Sequence, residues 1–315
     1  MSQWGLTPLT HHREEENTMS IFTGCGTALI TPFKNNEIDY PALDNLVESQ
    51  IAAGVDALIA AGTTGEPATM TWEEHLSVIR RVVDVARGRV PVIAGTGSNC
   101  TREAVEAARM SKQFGADAQL VVTPYYNKTS QEGLIAHFYA VAEAATLPVI
   151  VYNVPSRTGI NIGPEALATI CKHPNIIGVK EASSDVGQSL EKMRQVAEQA
   201  DFYCGNDDIA VPMISCGYKG LISVVSNVAP KETVRMVHAA LEGENREAAA
   251  WQLKLLPLIN ALFCETSPIP CKAAMAAMGL CEDEVRLPLV PMQERNRGRL
   301  YQAMRDLGLQ VQIGA

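Results

Sequence analysis

Eight short apolar runs punctuate the chain, and a segment of helical periodicity separates most of them from the next. The runs are GCGTALI (24–30), ALIAAG (57–62), PVIAGTG (91–97), AQLVVTP (118–124), PVIVYN (148–153), IIGVKE (176–181), FYCGN (202–206) and GLISVV (220–225). Most are apolar at consecutive rather than alternate positions, so neither face of such a strand is suited to water; this is the pattern of a covered parallel sheet. Helical segments fall at 41–53, 71–87, 101–114, 130–145, 164–171, 186–199 and 207–216. In PALDNLVESQIAAG, Pro41 suits a first turn, apolar residues recur at 43, 46, 47 and 51, and Gly54 ends the helix. This alternation predicts an α/β fold, a (β/α)8 TIM barrel. A doubly wound sheet competes, but GCGTAL lacks the third glycine of a GxGxxG turn, and a lone GTG at 95–97 is a weak substitute.

The flanks read differently. Residues 1–18 hold a double histidine, three consecutive glutamates and no apolar period, and are expected to be a disordered extension. The barrel is expected over 19–240. Residues 229–310 read as helices only; the first can complete the barrel, and 241–315 are expected to form a C-terminal helical appendage. A net charge of −9 gives no footprint for nucleic acid, which calls for a basic face. No stretch approaches the roughly 20 apolar residues of a membrane span. MSQWGLTPLTHHREEENTMS lacks the apolar centre of a secretion signal, so a cytoplasmic location is the expectation. None of the eight cysteines (25, 100, 171, 204, 216, 264, 271, 281) forms a CxxC pair. They read as free thiols, most of them buried, rather than as a disulfide or zinc framework, and no metal site is expected.

In a barrel of this kind chemistry sits at the C-terminal ends of the strands. The unusual residues cluster there: GTTGE (62–66), TPYYN (123–127), Tyr152 and Asn153 with the loop VPSRTG (154–159), Lys180, and Gly205–Asn206. A tyrosine at a strand end or an arginine in a loop has an ordinary structural explanation when taken alone. Their convergence on one mouth is the functional signal. Lys180 closes a buried run; burial penalises the ammonium form, and a neutral amine attacks carbonyls to give a Schiff base. A structural pair with Glu181 is disfavoured because adjacent strand residues face opposite sides. The GTTGE turn offers N–H groups and two hydroxyls to a keto acid's carboxylate. Tyr152 can shuttle protons beside the nitrogen, and Arg157 can hold a second carboxylate.

GTTGEPAT, VIAGTGSN, VVTPYYNK, VYNVPSRTG and IIGVKEAS, in that order, closely resemble the dihydrodipicolinate synthase family, within the pyruvate-dependent class I aldolases. The likeness runs from about residue 21 to the C-terminus. It implies that Lys180 forms the imine with pyruvate and that Tyr152 is the general acid/base. Thr64 and Tyr126 are implied as relay partners, Tyr126 coming from a neighbouring subunit. Thr63 and Thr64 would bind the pyruvate carboxylate, Arg157 the carboxylate of L-aspartate-4-semialdehyde, and Gly205 and Ile222 would line the pyruvate pocket. The expected product is 4-hydroxy-tetrahydrodipicolinate, with no organic cofactor, because the imine is the electron sink. The resemblance further implies a homotetramer and feedback by L-lysine at Pro67, Ala68, Trp72, His75, Asn99, Glu103 and Tyr125. Thr64 and Arg157 set the chain apart from the sialic-acid lyase branch, the competing aldolase reading. A third reading is a keto-acid-binding barrel without catalysis, against which the intact lysine, tyrosine pair and threonine speak.

Overall fold

Strands apolar on both faces need a closed sheet with an outer cover, and the computed structural model, which describes residues 20–312, shows that arrangement. The proposed extension at 1–18 lies outside the described residues. Eight parallel strands close into one barrel: β1 (Gly24–Ala28), β2 (Ala57–Ala60), β3 (Val92–Gly95), β4 (Ala118–Val122), β5 (Val149–Asn153), β6 (Ile176–Glu181), β7 (Asp201–Cys204) and β8 (Gly220–Ser223), with β8 pairing β1. Seven lie inside the apolar run expected for them, and β7 begins one residue ahead of its run, at Asp201. A two-stranded hairpin, Phe33–Lys34 with Glu37–Ile38, follows β1.

The helices are α1 (Tyr40–Ala53), α2 (Trp72–Ala86), α3 (Thr101–Phe114), α4 (Gln131–Ala145), α5 (Pro155–Thr158), α6 (Pro164–Ile170), α7 (Val186–Val196), α8 (Ala210–Ser215), α9 (Pro230–Leu241), α10 (Asn245–Leu262), α11 (Ile269–Ala277) and α12 (Glu294–Asp306). Local chemistry explains their ends. The Asp39 side chain accepts from Ala42 N ahead of α1, and Gly54 ends it at φ 88°. A reciprocal Thr71–Glu74 capping box starts α2. The one-turn helix α5 was not expected; four residues carry no apolar repeat. One core lies between barrel and helices, and a smaller one fills the barrel, where Ile59, Ile93, Leu120, Ile150, Tyr152, Tyr203 and Ile222 meet. Phe22, ahead of β1, stacks on Tyr203 at 4.4 Å.

The C-terminal helices do more than append. The chain on either side of α11 returns over the strand ends, bringing Ser267, Pro268, Pro288 and Leu289 to the mouth. Fewer cysteines are buried than expected: Cys25, Cys171, Cys204 and Cys271 are, Cys100, Cys264 and Cys281 are half-buried, and Cys216 is exposed.

Candidate active site

The β-ladder places Tyr152, Lys180 and Tyr203 opposite one another on β5, β6 and β7. Lys180 is only 5% exposed, and its Nζ lies 4.3 Å from the centre of the Tyr152 ring. Burial lowers the Lys180 ammonium to about 8; the Asp207 carboxylate opposes that shift and the Arg157 guanidinium adds to it. Burial thus moves the amine towards its neutral, nucleophilic form near neutral pH. Gly205, just past β7, is a steric necessity. A Cβ there would stand 2.6 Å from Ala182 Cβ and 3.1 Å from Lys180 Cε. The glycines of GTG serve packing in the same way, since a Cβ on Gly95 would come 2.3 Å from Ala61 O and one on Gly97 2.4 Å from Val122 N.

The GTTGE segment leaves β2 as a tight turn, with Gly65 N donating to Gly62 O at 2.8 Å. Thr63 is the threonine of the turn whose side chain draws the phenol of the buried Tyr152 down. Thr64, the expected relay partner, is buried in the same turn. Burial raises the Tyr152 phenol, while Arg157 and Thr63 draw it back. Arg157 sits on α5 with its guanidinium donating to Ser267 O at 3.2 Å.

Thr63, Tyr152 and Arg157 line a cavity of about 560 Å³, and so do Pro67, Ala68, Trp72, His75, Glu103 and Tyr125 of the expected effector set. His75 bonds Gly95 O through Nε2 at 2.7 Å and Trp72 meets its ring edge-on at 6.5 Å. Glu103 accepts from the Ser98 hydroxyl at 2.9 Å. Asn99 is not brought to the wall of this cavity; its carbonyl accepts from Asn127 Nδ2 at 2.9 Å. Gly205 and Ile222 also lie behind the wall, Gly205 against Lys180 and Ile222 in the barrel core beside Tyr152. Tyr126 is not brought to Tyr152 within the chain: at φ 69° it stands outward, 91% exposed.

Three buried carboxylates near the mouth were given no partner by the sequence reading. Asp207, after β7, accepts from the Ser223 hydroxyl at 2.6 Å and from Val224 N at 3.1 Å. Glu66 pairs with Lys272 of α11, whose Nζ lies 3.9 Å from the Phe33 ring centre. Glu181 faces out of the barrel and pairs with Lys192 of α7 at 2.9 Å. The available signal was a charge inside an apolar stretch, as in IPCKAAMAA, or at the end of a buried strand. Among the described residues, no group of three or more His, Cys, Asp or Glu is placed to hold a metal ion, and no helix is long and apolar enough to cross a membrane.

Residues 21–307 match the model of the dihydrodipicolinate synthetase family. The 4-hydroxy-tetrahydrodipicolinate synthase of Geotalea daltonii is 50% identical over 92% of this chain and 100% of its own length. The chloride-inhibited dihydrodipicolinate synthase of Acinetobacter baumannii, solved with pyruvate, is 42% identical with a TM-score of 0.89, over 91% of this chain and 99% of that one. The lysine-bound enzyme of Cyanidioschyzon merolae is 40% identical with a TM-score of 0.89, over 92% and 100%. A closed barrel carrying a buried lysine beside a tyrosine, and relatives matched over nearly their whole length, agree that the chain belongs to the dihydrodipicolinate synthase family.

Proposed function

We propose that Lys180 is the imine-forming amine in an enzyme that condenses pyruvate with L-aspartate-4-semialdehyde to give 4-hydroxy-tetrahydrodipicolinate, the entry to diaminopimelate and lysine. The observation that carries the assignment of Lys180 is its buried amine against the Tyr152 ring, lowered to about 8. The neutral amine adds to the keto carbon of pyruvate, and loss of water leaves a protonated imine. Loss of a methyl proton gives an enamine, which attacks the aldehyde carbon. The semialdehyde's own amino group then closes on the imine carbon and releases Lys180. Tyr152 moves the protons, with Thr63 as its relay partner. Thr63 and Thr64 hold the pyruvate carboxylate, and Arg157 holds the carboxylate of the aldehyde substrate. Gly205 leaves room for the Lys180 stem, and Ile222 supports the apolar side of the pocket.

Tyr126 completes the relay from a neighbouring subunit of a homotetramer, a reading its outward ring supports. L-Lysine is the effector, held at the Trp72–Glu103 end of the cavity with Asn99 among its contacts. A biosynthetic role supports a cytoplasmic location. The test is borohydride reduction in the presence of pyruvate, followed by peptide mass mapping. An adduct on Lys180 is expected; an unmodified Lys180 with the adduct elsewhere would refute the assignment.

A further inference from the structure

Behind the mouth, on the outer face of β6, lies a buried ion pair with no part in the steps above. Glu181 follows Lys180 and so points the other way. Its carboxylate meets Lys192 of α7 at 2.9 Å, and the two side chains are 2% and 0% exposed. Burying both charges is unfavourable, and such a pair replaced by apolar groups is often no less stable. Its arrangement nonetheless shows what it holds. Lys192 Nζ also donates to Asn161 Oδ1 at 3.0 Å. Glu181 accepts from Asn153 Nδ2 at 2.9 Å and from Ser183 N at 2.8 Å. Asn153 Nδ2 donates to Asn161 Oδ1 at 2.8 Å, and Asn153 Oδ1 accepts from Ile162 N at 3.1 Å. Asn161 Nδ2 in turn donates to Gln188 of α7.

Asn153 is the last residue of β5, and Asn161 and Ile162 lie just past α5. These bonds therefore join the two ends of one loop, and the turn between them carries Arg157. The loop is closed by side chains, and those side chains are oriented by the ion pair beneath.

We propose that Lys192, through Glu181 and the Asn153–Asn161 closure, is a positioning residue for Arg157 and so sets the affinity for the aldehyde substrate. This rests on the assignment of Arg157 to that substrate's carboxylate. Lys180 lies on the opposite face of β6, where the β-ladder holds it, so the clamp does not place the amine and reaches the pyruvate half-reaction only through the Arg157 charge. A pair that served stability alone would alter both half-reactions together, or neither.

The test compares Lys192→Met, which keeps the stem and removes the charge, with Asn161→Ala, which opens the loop closure and leaves the ion pair intact. In both, KM for L-aspartate-4-semialdehyde is expected to rise about tenfold, while KM for pyruvate and the yield of borohydride-trapped imine stay within about twofold. Lys192→Met leaves a buried carboxylate unpaired; should it fail to fold, Asn161→Ala decides the matter. An unchanged KM for the semialdehyde in folded Asn161→Ala, or equal changes in both KM values, would overturn the inference. Wild-type protein that forms the imine but never consumes the semialdehyde would overturn the reading of Arg157 and this inference with it. Loss of selectivity in the variants of an active enzyme would overturn this inference alone.

Discussion

Burial of the Lys180 side chain does two jobs, closing an apolar strand and making an amine reactive at neutral pH. The sign follows from the cause: burial lowers the ammonium to about 8, so the neutral fraction grows as pH rises through that value. The initial rate of borohydride trapping with pyruvate should therefore climb between pH 6.5 and 8.5 and level off above about 9, well short of the ordinary lysine range. A rate still climbing at pH 10 would mean that the amine is not lowered. The turn after β2 makes a second prediction. Thr63→Val removes the side-chain hydroxyl that draws the Tyr152 phenol down and should lower kcat about 10²-fold, whereas Thr64→Val should act mainly on KM for pyruvate. Steady-state kinetics of the two variants separates these outcomes, and equal losses of kcat would remove the distinction. Lys180, Tyr152 and Arg157 were legible because each is a chemically odd residue at a strand end. The choice between Thr63 and Thr64 was not, because adjacent identical residues differ only in the turn's geometry. Glu66, Glu181 and Asp207 were not assigned, because each finds its partner through the fold rather than along the chain.

At the scale of elements, the eight strands were legible because their apolar continuity admits few alternatives, and the longer helices because their caps and periods agree. The helix α5 had no period to read. The return of the segments beside α11 over the mouth was also hidden, since helical periodicity tells which face is apolar but not which neighbour covers it. The tie between α11 and the GTTGE turn is the Lys272–Glu66 pair, both side chains buried and Glu66 itself at φ 58°. Removing one partner strands the other charge. Lys272→Met should destabilise the fold by about 3–5 kcal/mol, and Lys272→Met combined with Glu66→Gln by clearly less. Urea unfolding followed by circular dichroism measures both. A double variant no more stable than the single one would show that the charge pairing is not what the two residues contribute.

For the whole molecule, the proposed effector contacts and the proposed catalytic residues share one cavity. One cavity runs from Tyr152 and Arg157 to Trp72 and Glu103, and Tyr125 on its wall directly precedes the outward-facing Tyr126. If Tyr126 completes the relay of a second subunit, Tyr126→Phe should lower turnover while leaving the unfolding curve of the subunit in place, and the active species in sedimentation should be an oligomer. A fully active monomer would contradict this. The effector reading follows from the same geometry. The Glu103 carboxylate suits an α-ammonium, and Trp72 and His75 form an aromatic edge against which an alkyl stem can lie. A ligand drawn in there would shift Tyr125 and, through the shared backbone, the Tyr126 ring. Lysine titrated into the condensation assay should lower the rate of the wild-type enzyme. Glu103→Ala should keep its rate without lysine and lose most of the inhibition, because Glu103 enters no step of the proposed reaction. A wild-type rate unaffected by millimolar lysine would remove the effector site and leave the imine chemistry standing, since Lys180 and Tyr152 owe their placement to the barrel alone.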